Sequence, residues 1–126
     1  MSGERNLKER TREFALRVVR LYAGLPKSTI AQVLGKQLLR AGTSIGAHYR
    51  EGTRSRSNAE FVSKLEGALQ ELEETRYWLE LLVAERLGPM AELESLTGEA
   101  DELAAMLTAS VRTVKARSRR ANSDER

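Results

Sequence analysis

Two groups of residues have types and spacings that could do chemistry. Ser44 lies four residues before His48, the single histidine of this 126-residue chain, and Glu51 lies three residues after it. On a helix, steps of three and four bring side chains onto one face. Ser44, His48 and Glu51 can therefore be drawn as nucleophile, base and orienting acid. Nucleophilic catalysis also needs an oxyanion hole within hydrogen-bond reach of the attacked group. A serine in mid-helix has its neighbouring backbone amides already used, so no catalytic residue and no enzyme are expected, and His48 reads as a polar residue of a helix surface. Glu71 and Glu74 could hold a metal, but helix-bundle carboxylate sites want a Glu-x-x-His pattern on partner helices. One histidine and no cysteine cannot supply a tetrahedral nitrogen/sulfur site either. The run Gly42-Thr43-Ser44-Ile45-Gly46 lacks the preceding strand and the glycine-lysine ending of a phosphate loop. Metal, cofactor and small-molecule substrate are all expected to be absent.

The basic residues carry a stronger signal. Lys8, Arg10, Arg12, Arg17 and Arg20 crowd the first helical segment, and Arg50, Arg54 and Arg56 cluster near the end of the second. The segment from Arg112 to Arg120 adds further cations. Arginines on a rigid scaffold suit bidentate phosphate contact. The candidate nucleic-acid-binding residues are Arg50, Arg54, Arg56, Lys8, Arg12, Arg17 and Arg20. Binding through the backbone of RNA or DNA would be largely sequence-independent and salt-sensitive. Aromatics are few and fall at core spacing, so an exposed platform for base stacking is not expected. Charge is also unevenly spread. Residues 1–60 hold 12 Lys/Arg against 5 Asp/Glu, residues 61–102 hold 3 against 11, and residues 103–126 hold 6 against 2. Such segments can pair inside the fold, pair between subunits, or leave a basic surface for phosphates.

Helices must position these groups. The breaks are Gly24-Leu25-Pro26-Lys27-Ser28, Arg54-Ser55-Arg56-Ser57 and Gly88-Pro89. Ser28 and Ser57 are candidate N-caps, Glu60 stands at capping-box distance from Ser57, and Pro89 suits a first helical position. Four helices are predicted, at about 6–23, 28–53, 58–87 and 89–116. Their apolar stripes are Leu7, Phe14, Val18, Leu21 and Leu25; Ile30, Val33, Leu34, Leu38, Ala41, Ile45 and Tyr49; Phe61, Leu65, Ala68, Leu72, Thr75, Leu79 and Leu82; and Leu93, Leu96, Ala100, Leu103, Leu107 and Val114. Short loops between similar rods predict an all-α, antiparallel, up-down-up-down four-helix bundle. The bundle domain is expected over residues 1–118, with residues 119–126 a charged, disordered tail. With no cysteine, no signal-peptide pattern and no apolar run of the roughly 18 residues that span a bilayer, a soluble cytoplasmic protein is expected, with no membrane partner.

The middle helix carries a cost that needs an offset. Glycine in a helix interior loses about 1 kcal/mol against alanine, and Gly35, Gly42 and Gly46 share one face. Close approach of another helix is the offset expected. Gly35, Arg40, Gly42, Gly46, Glu71, Glu74 and Trp78 together form a candidate oligomer interface. Gly98 has no such stripe around it.

Several segments are similar to a known family. Leu25-Pro26-Lys27-Ser28, Gln32 to Arg40, Gly42-Thr43-Ser44-Ile45-Gly46-Ala47, Tyr49-Arg50-Glu51 and Tyr77-Trp78-Leu79-Glu80-Leu81-Leu82 resemble the bacterial four helix bundle protein family, also called the 23S rRNA-intervening-sequence protein family. The likeness runs from about Arg12 to Arg117. It implies a four-helix protomer, a homopentameric barrel-like ring and no enzymatic activity. The chain also resembles the accessory protein of diversity-generating retroelements, a basic pentamer that binds a reverse transcriptase and its RNA. Matching positions are Arg40, Arg50, Glu51, Lys64, Glu71, Glu74 and Trp78, whereas His48 stands where the family usually has asparagine. A non-enzymatic, oligomeric nucleic-acid-binding protein is the first expectation. The alternative is a scaffold that recruits a partner protein such as a reverse transcriptase.

Overall fold

Helix start and stop signals act where the serines and glycines place them. The computed structural model describes residues 3–124, among which there are four helices and no strand: α1 (Gly3–Ala23), α2 (Thr29–Thr53), α3 (Asn58–Ala84) and α4 (Met90–Asp124). Ser28 and Ser57 sit in extended backbone as N-caps. The Ala31 N–H donates to Ser28 Oγ at 3.3 Å and the Glu60 N–H donates to Ser57 Oγ at 3.1 Å. Pro89 stands one place earlier than expected, as the residue whose carbonyl accepts from the Leu93 N–H at 3.0 Å.

The end of α3 falls at Ala84 instead of residue 87, because the chain turns back on itself there. The Leu87 N–H reaches the Leu82 carbonyl at 2.9 Å and the Arg86 N–H reaches that of Val83 at 3.1 Å. These are the paired bonds of a Schellman closure, which needs one residue in the left-handed region. Arg86 occupies it, with φ of 53°, where glycine is the unstrained choice. Arg86→Gly is expected to raise the unfolding free energy by about 0.5–1 kcal/mol. The check is a higher urea midpoint at unchanged m value.

Contacts climb one helix as they descend its neighbour. Gly35 meets Tyr22 and Leu25, Gly42 meets Val18, and Gly46 meets Thr11. Between α2 and α3, Arg40 pairs with Glu71 and Glu74, His48 lies on Gly67, and Leu65 lies on Gly52. Arg76 and Lys115 tie α3 to α4, through Asp101 and Glu66, and Arg10 and Arg17 tie α1 to α4. Each helix thus packs on two neighbours in ring order, the α2–α3 contact being the most extensive. The core contains Leu7, Phe14, Val18, Leu38, Ile45, Tyr49, Leu65, Leu72, Leu79, Leu93, Leu96 and Leu103, all essentially without solvent exposure. Two stripe assignments are corrected. Ile30 and Val33 are 63% and 55% exposed, because the buried face at the start of α2 passes through Ala31 and Gly35. On α4, Val111 is buried, and Val114 is only half-buried.

The glycine face of α2 needs a larger correction. Gly35, Gly42 and Gly46 are buried within the protomer, against α1, so they are not a surface on which another subunit can pack. Close approach is still the offset, but the neighbour is the preceding helix of the same chain. At Gly46 an added Cβ would stand 3.2 Å from Thr11 Oγ1 and 3.6 Å from the α1 backbone itself. Gly98 is the contrary case, an exposed position where an added Cβ meets nothing within 4 Å. Gly98→Ala is expected to stabilise by about 1 kcal/mol through helix propensity alone. Thermal unfolding of that variant should move upward by a few degrees.

The last helix takes in residues 119–124 of the tail expected to be disordered over 119–126, while 125–126 lie outside the described residues. α4 continues through Asp124. Beyond Gly98 there is neither glycine nor proline to stop it, and Arg, Lys and Ala propagate a helix well.

Candidate nucleic-acid interface

The helix order brings the start of α1, the end of α2, the start of α3 and the C-terminal half of α4 to one end of the bundle. Residues 8–13, 47–68 and 99–120, which build that end, hold 12 Lys/Arg against 8 Asp/Glu, since Glu99 and Glu102 stand beside Arg10. Residues 17–37 and 74–98, which build the other end, hold 6 Lys/Arg against 5 Asp/Glu. Charge blocks separated along the chain thereby become a basic pole and a near-neutral pole in space.

Within the basic pole, Lys8 and Arg12 of α1 and Arg50 of α2 line one cleft of about 320 Å³, together with Glu9. Arg12 also has an exposed ion pair with the adjacent Glu13 at 3.4 Å. Arg54 caps α2, and Arg56 sits in the α2–α3 turn and lines a second cleft with Arg117 of α4. The sequence set is therefore brought together in large part: Lys8, Arg12, Arg50, Arg54 and Arg56 share one end. Arg117 was missing from that set. The signal that finds it is the uninterrupted helical stretch after Gly98, which carries α4 far enough to place its last arginines beside the α2–α3 turn.

Two of the predicted cations lie elsewhere. Arg17 makes a bidentate pair with Glu92 of α4, with Nη2 to Oε1 at 2.8 Å and Nε to Oε2 at 3.2 Å, and also donates to Ser95 Oγ at 2.7 Å. Its hydrogen bond to Glu92 raises the Arg17 pKa and holds the Glu92 carboxyl below its ordinary value. Since the folded-state value of Glu92 is lowered, the pair's contribution is present above the ordinary carboxylate range and is lost as pH falls through the lowered value. Arg17 is thus committed to holding α1 on α4, which corrects its assignment to phosphate binding. Arg20 is exposed but lies eight residues beyond Arg12, roughly 12 Å along the helix axis. It belongs to the near-neutral pole. Arg10 is committed in the same way as Arg17: it donates to Glu99 at 2.6 and 3.0 Å and to Glu102 at 2.6 Å, which raises its pKa.

The remaining candidates form a cluster of their own on the outer α2–α3 surface. Arg40 donates to Glu71 at 3.2 Å and to Glu74, and the Trp78 indole N–H donates to Glu74 at 3.2 Å. Tyr77 is half exposed, its ring 5.2 Å from that of Trp78. Near the basic pole, Lys64 pairs with Glu51 at 2.9 Å, which lowers the Glu51 pKa and raises that of Lys64. These exposed pairs contribute little stability each; their effect is to fix which helix faces meet.

The serine–histidine arrangement does not assemble. Ser44 Oγ donates to the Arg40 carbonyl at 2.7 Å, back along its own helix. The His48 ring lies against Gly67 of α3, and its buried Nδ1 has no hydrogen-bond partner. An added Cβ on Gly67 would stand 3.1 Å from that nitrogen, so Gly67 makes the space for the imidazole. Among the described residues no group of three or more His, Cys, Asp or Glu is placed to hold a metal ion, and no helix is long and apolar enough to cross a membrane.

Taken together, these features define a small all-helical bundle protein with one basic end. The chain belongs to the 23S rRNA-intervening sequence protein family, whose pattern it matches over residues 4–109. One similar solved structure is a protein of unknown function from the S23 ribosomal protein family of Bacteroides thetaiotaomicron VPI-5482. It is 38% identical, the match covers 88% of this chain and 99% of that one, and the TM-score is 0.81. No relative is found among functionally curated proteins.

Proposed function

We propose that this chain is a non-enzymatic nucleic-acid-binding protein that works as an antiparallel, up-down-up-down bundle assembled into a homo-oligomer, with a pentameric ring the leading form. The observation that carries this reading is the basic pole, where Lys8, Arg12, Arg50, Arg54, Arg56 and Arg117 gather from three helices and the turn between two of them. Cations fixed on a rigid frame neutralise backbone phosphates without ordering cost, and several copies in one ring multiply a modest patch by effective concentration. The register of the interhelical contacts supports the antiparallel order. Ile30, Val33 and Tyr77, exposed on α2 and α3, supply apolar surface for contact between subunits. The Arg40–Glu71–Glu74–Trp78 cluster lies on those same two helices and supplies polar surface to that contact. Neither contact enlists a catalytic group, a metal or a membrane.

The direct test measures binding of a generic RNA to the full chain across a salt series, alongside the native mass of the particle. Tight binding at low salt that weakens steeply as salt rises supports the reading. Binding without a salt slope, or none at low salt, removes it. A pull-down that returns one stoichiometric protein and no nucleic acid would favour a scaffold for a partner protein instead.

A further inference from the structure

We propose that the cleft between the α2–α3 turn and the C-terminal half of α4 seats one unstacked base of a single-stranded nucleic acid, with an adjoining phosphate on Arg56 and Arg117. The proposal rests on the nucleic-acid reading above and names the form of substrate that the basic pole selects. The cleft encloses about 660 Å³, inside the range of roughly 300–1,000 Å³ typical of small-molecule sites. Its walls come from all four helices; half-buried Phe61, Met106 and Val114 supply its accessible apolar surface, above the buried Tyr49. Among the described residues, Arg56 and Arg117 are the charged ones that line it, and no carboxylate does. An apolar lining that includes Phe61, together with two arginines, complements a flat aromatic group that carries a negative charge.

The polar lining separates a base from other anionic amphiphiles. Ser55, Ser57, Asn58 and Ser110 face the cleft, and Asn58 Nδ2 donates to Ser118 Oγ at 3.1 Å. The carbonyl oxygen of such an amide remains an acceptor. A base edge offers donors and acceptors to this lining. An acyl chain would bury it without partners, at a desolvation cost. The second cleft, with Lys8, Arg12 and Arg50, begins at residues adjacent in sequence to the Leu7 and Tyr49 of the first. Flanking phosphates therefore meet further cations. A duplex keeps its bases stacked inside and reaches only the arginines, so the cleft distinguishes single strands from duplexes.

The test fills the cleft without removing a charge. Thr113 lines it from the exposed side of α4, and Thr113→Trp should occupy the space of the base. Titrations of the full chain would use a short oligoadenylate and a duplex of equal length at one fixed salt. The substitution is expected to weaken strand binding about tenfold, as loss of one stacked base does, and to leave duplex binding within about twofold. A strand carrying 2-aminopurine should also gain emission on binding the unaltered protein, because the seated base leaves the stack that quenches it. Ser110→Phe fills the same cleft and takes over if the tryptophan variant fails to fold. Unchanged strand affinity, an equal fall for strand and duplex, or 2-aminopurine emission indifferent to binding would each overturn the base seat while leaving backbone binding intact. If the unaltered protein binds neither nucleic acid, the functional reading itself fails, and the base seat with it.

Discussion

Leucine in place of Gly42 is expected to lower the unfolding free energy by about 2–3 kcal/mol, the upper range for overpacking a well-filled contact. An added Cβ at this position would meet Val18 Cγ2 at 3.0 Å and Cγ1 at 3.1 Å. Val18 is fully buried and branched at Cβ, so it cannot swing aside as a long side chain could. The remaining atoms of leucine would have to lever α1 away from α2. Leucine regains about 1 kcal/mol of helix propensity, which is too little to reverse the sign. Gly35 provides the control. There an added Cβ would stand closer, at 2.6 Å from Leu25 Cδ1 and 2.9 Å from Tyr22 Cδ1. Those atoms are the outer parts of side chains with rotamer freedom. Alanine at 35 should therefore cost less than alanine at 42, despite the shorter distance. Urea denaturation of both variants checks the order, and a Gly42→Leu protein as stable as the parent would refute close packing of α1 on α2.

Alanine at Arg50, Arg54 and Arg56 together is expected to weaken binding of a generic single-stranded RNA by roughly 10–100-fold at low salt. It should also make the log–log salt dependence shallower by about 2, since each lost phosphate contact on a single strand removes about 0.7 of slope. Two features make this the sharper of the possible charge variants. The three residues lie at the basic pole and, among the described residues, make no ion pair with the carboxylates of α3 or α4, so the helix contacts survive their removal. Alanine at Arg17 is the matching control. It breaks the pair with Glu92 and should change stability while leaving the salt slope where it was. Equal slopes for the parent and the triple variant would place the phosphate contacts elsewhere.

Much of the frame is legible in the residues alone. Ser28 and Ser57 mark two helix starts because a serine hydroxyl at an N-cap satisfies an otherwise orphaned amide, a property of the local chain. Gly88, with φ of 105°, marks the break before α4 because an L side chain rarely adopts that backbone. The three-four rhythm of Leu65, Ala68, Leu72, Thr75, Leu79 and Leu82 appears unchanged as the buried face of α3. The likeness of segments such as Gly42 to Ala47 to a known family holds at the level of family and fold. By contrast, the end of α4 was misjudged because polarity was read as disorder. A charged helix on the rim of a bundle needs good propensity and no stop signal, and residues 99–124 meet both conditions.

The candidate site was harder to read, for a different reason. Charge and small size are properties of a residue, but availability depends on what stands opposite. Arg12 and Arg17 look alike in sequence, yet five residues along a helix turn the side chain by well over a right angle. One then faces Arg50 and the other Glu92. Gly42 declares that something comes close without saying whether it is a neighbouring helix or a neighbouring subunit. Local propensity and periodicity, acting over a few residues, were enough to determine four helices, their caps and most of their buried faces. Only the tertiary structure decided which arginines are occupied by carboxylates, which helix fills the glycine face and that the cations of α1, α2 and α4 meet at one end, because those outcomes are set by contacts between residues dozens of positions apart.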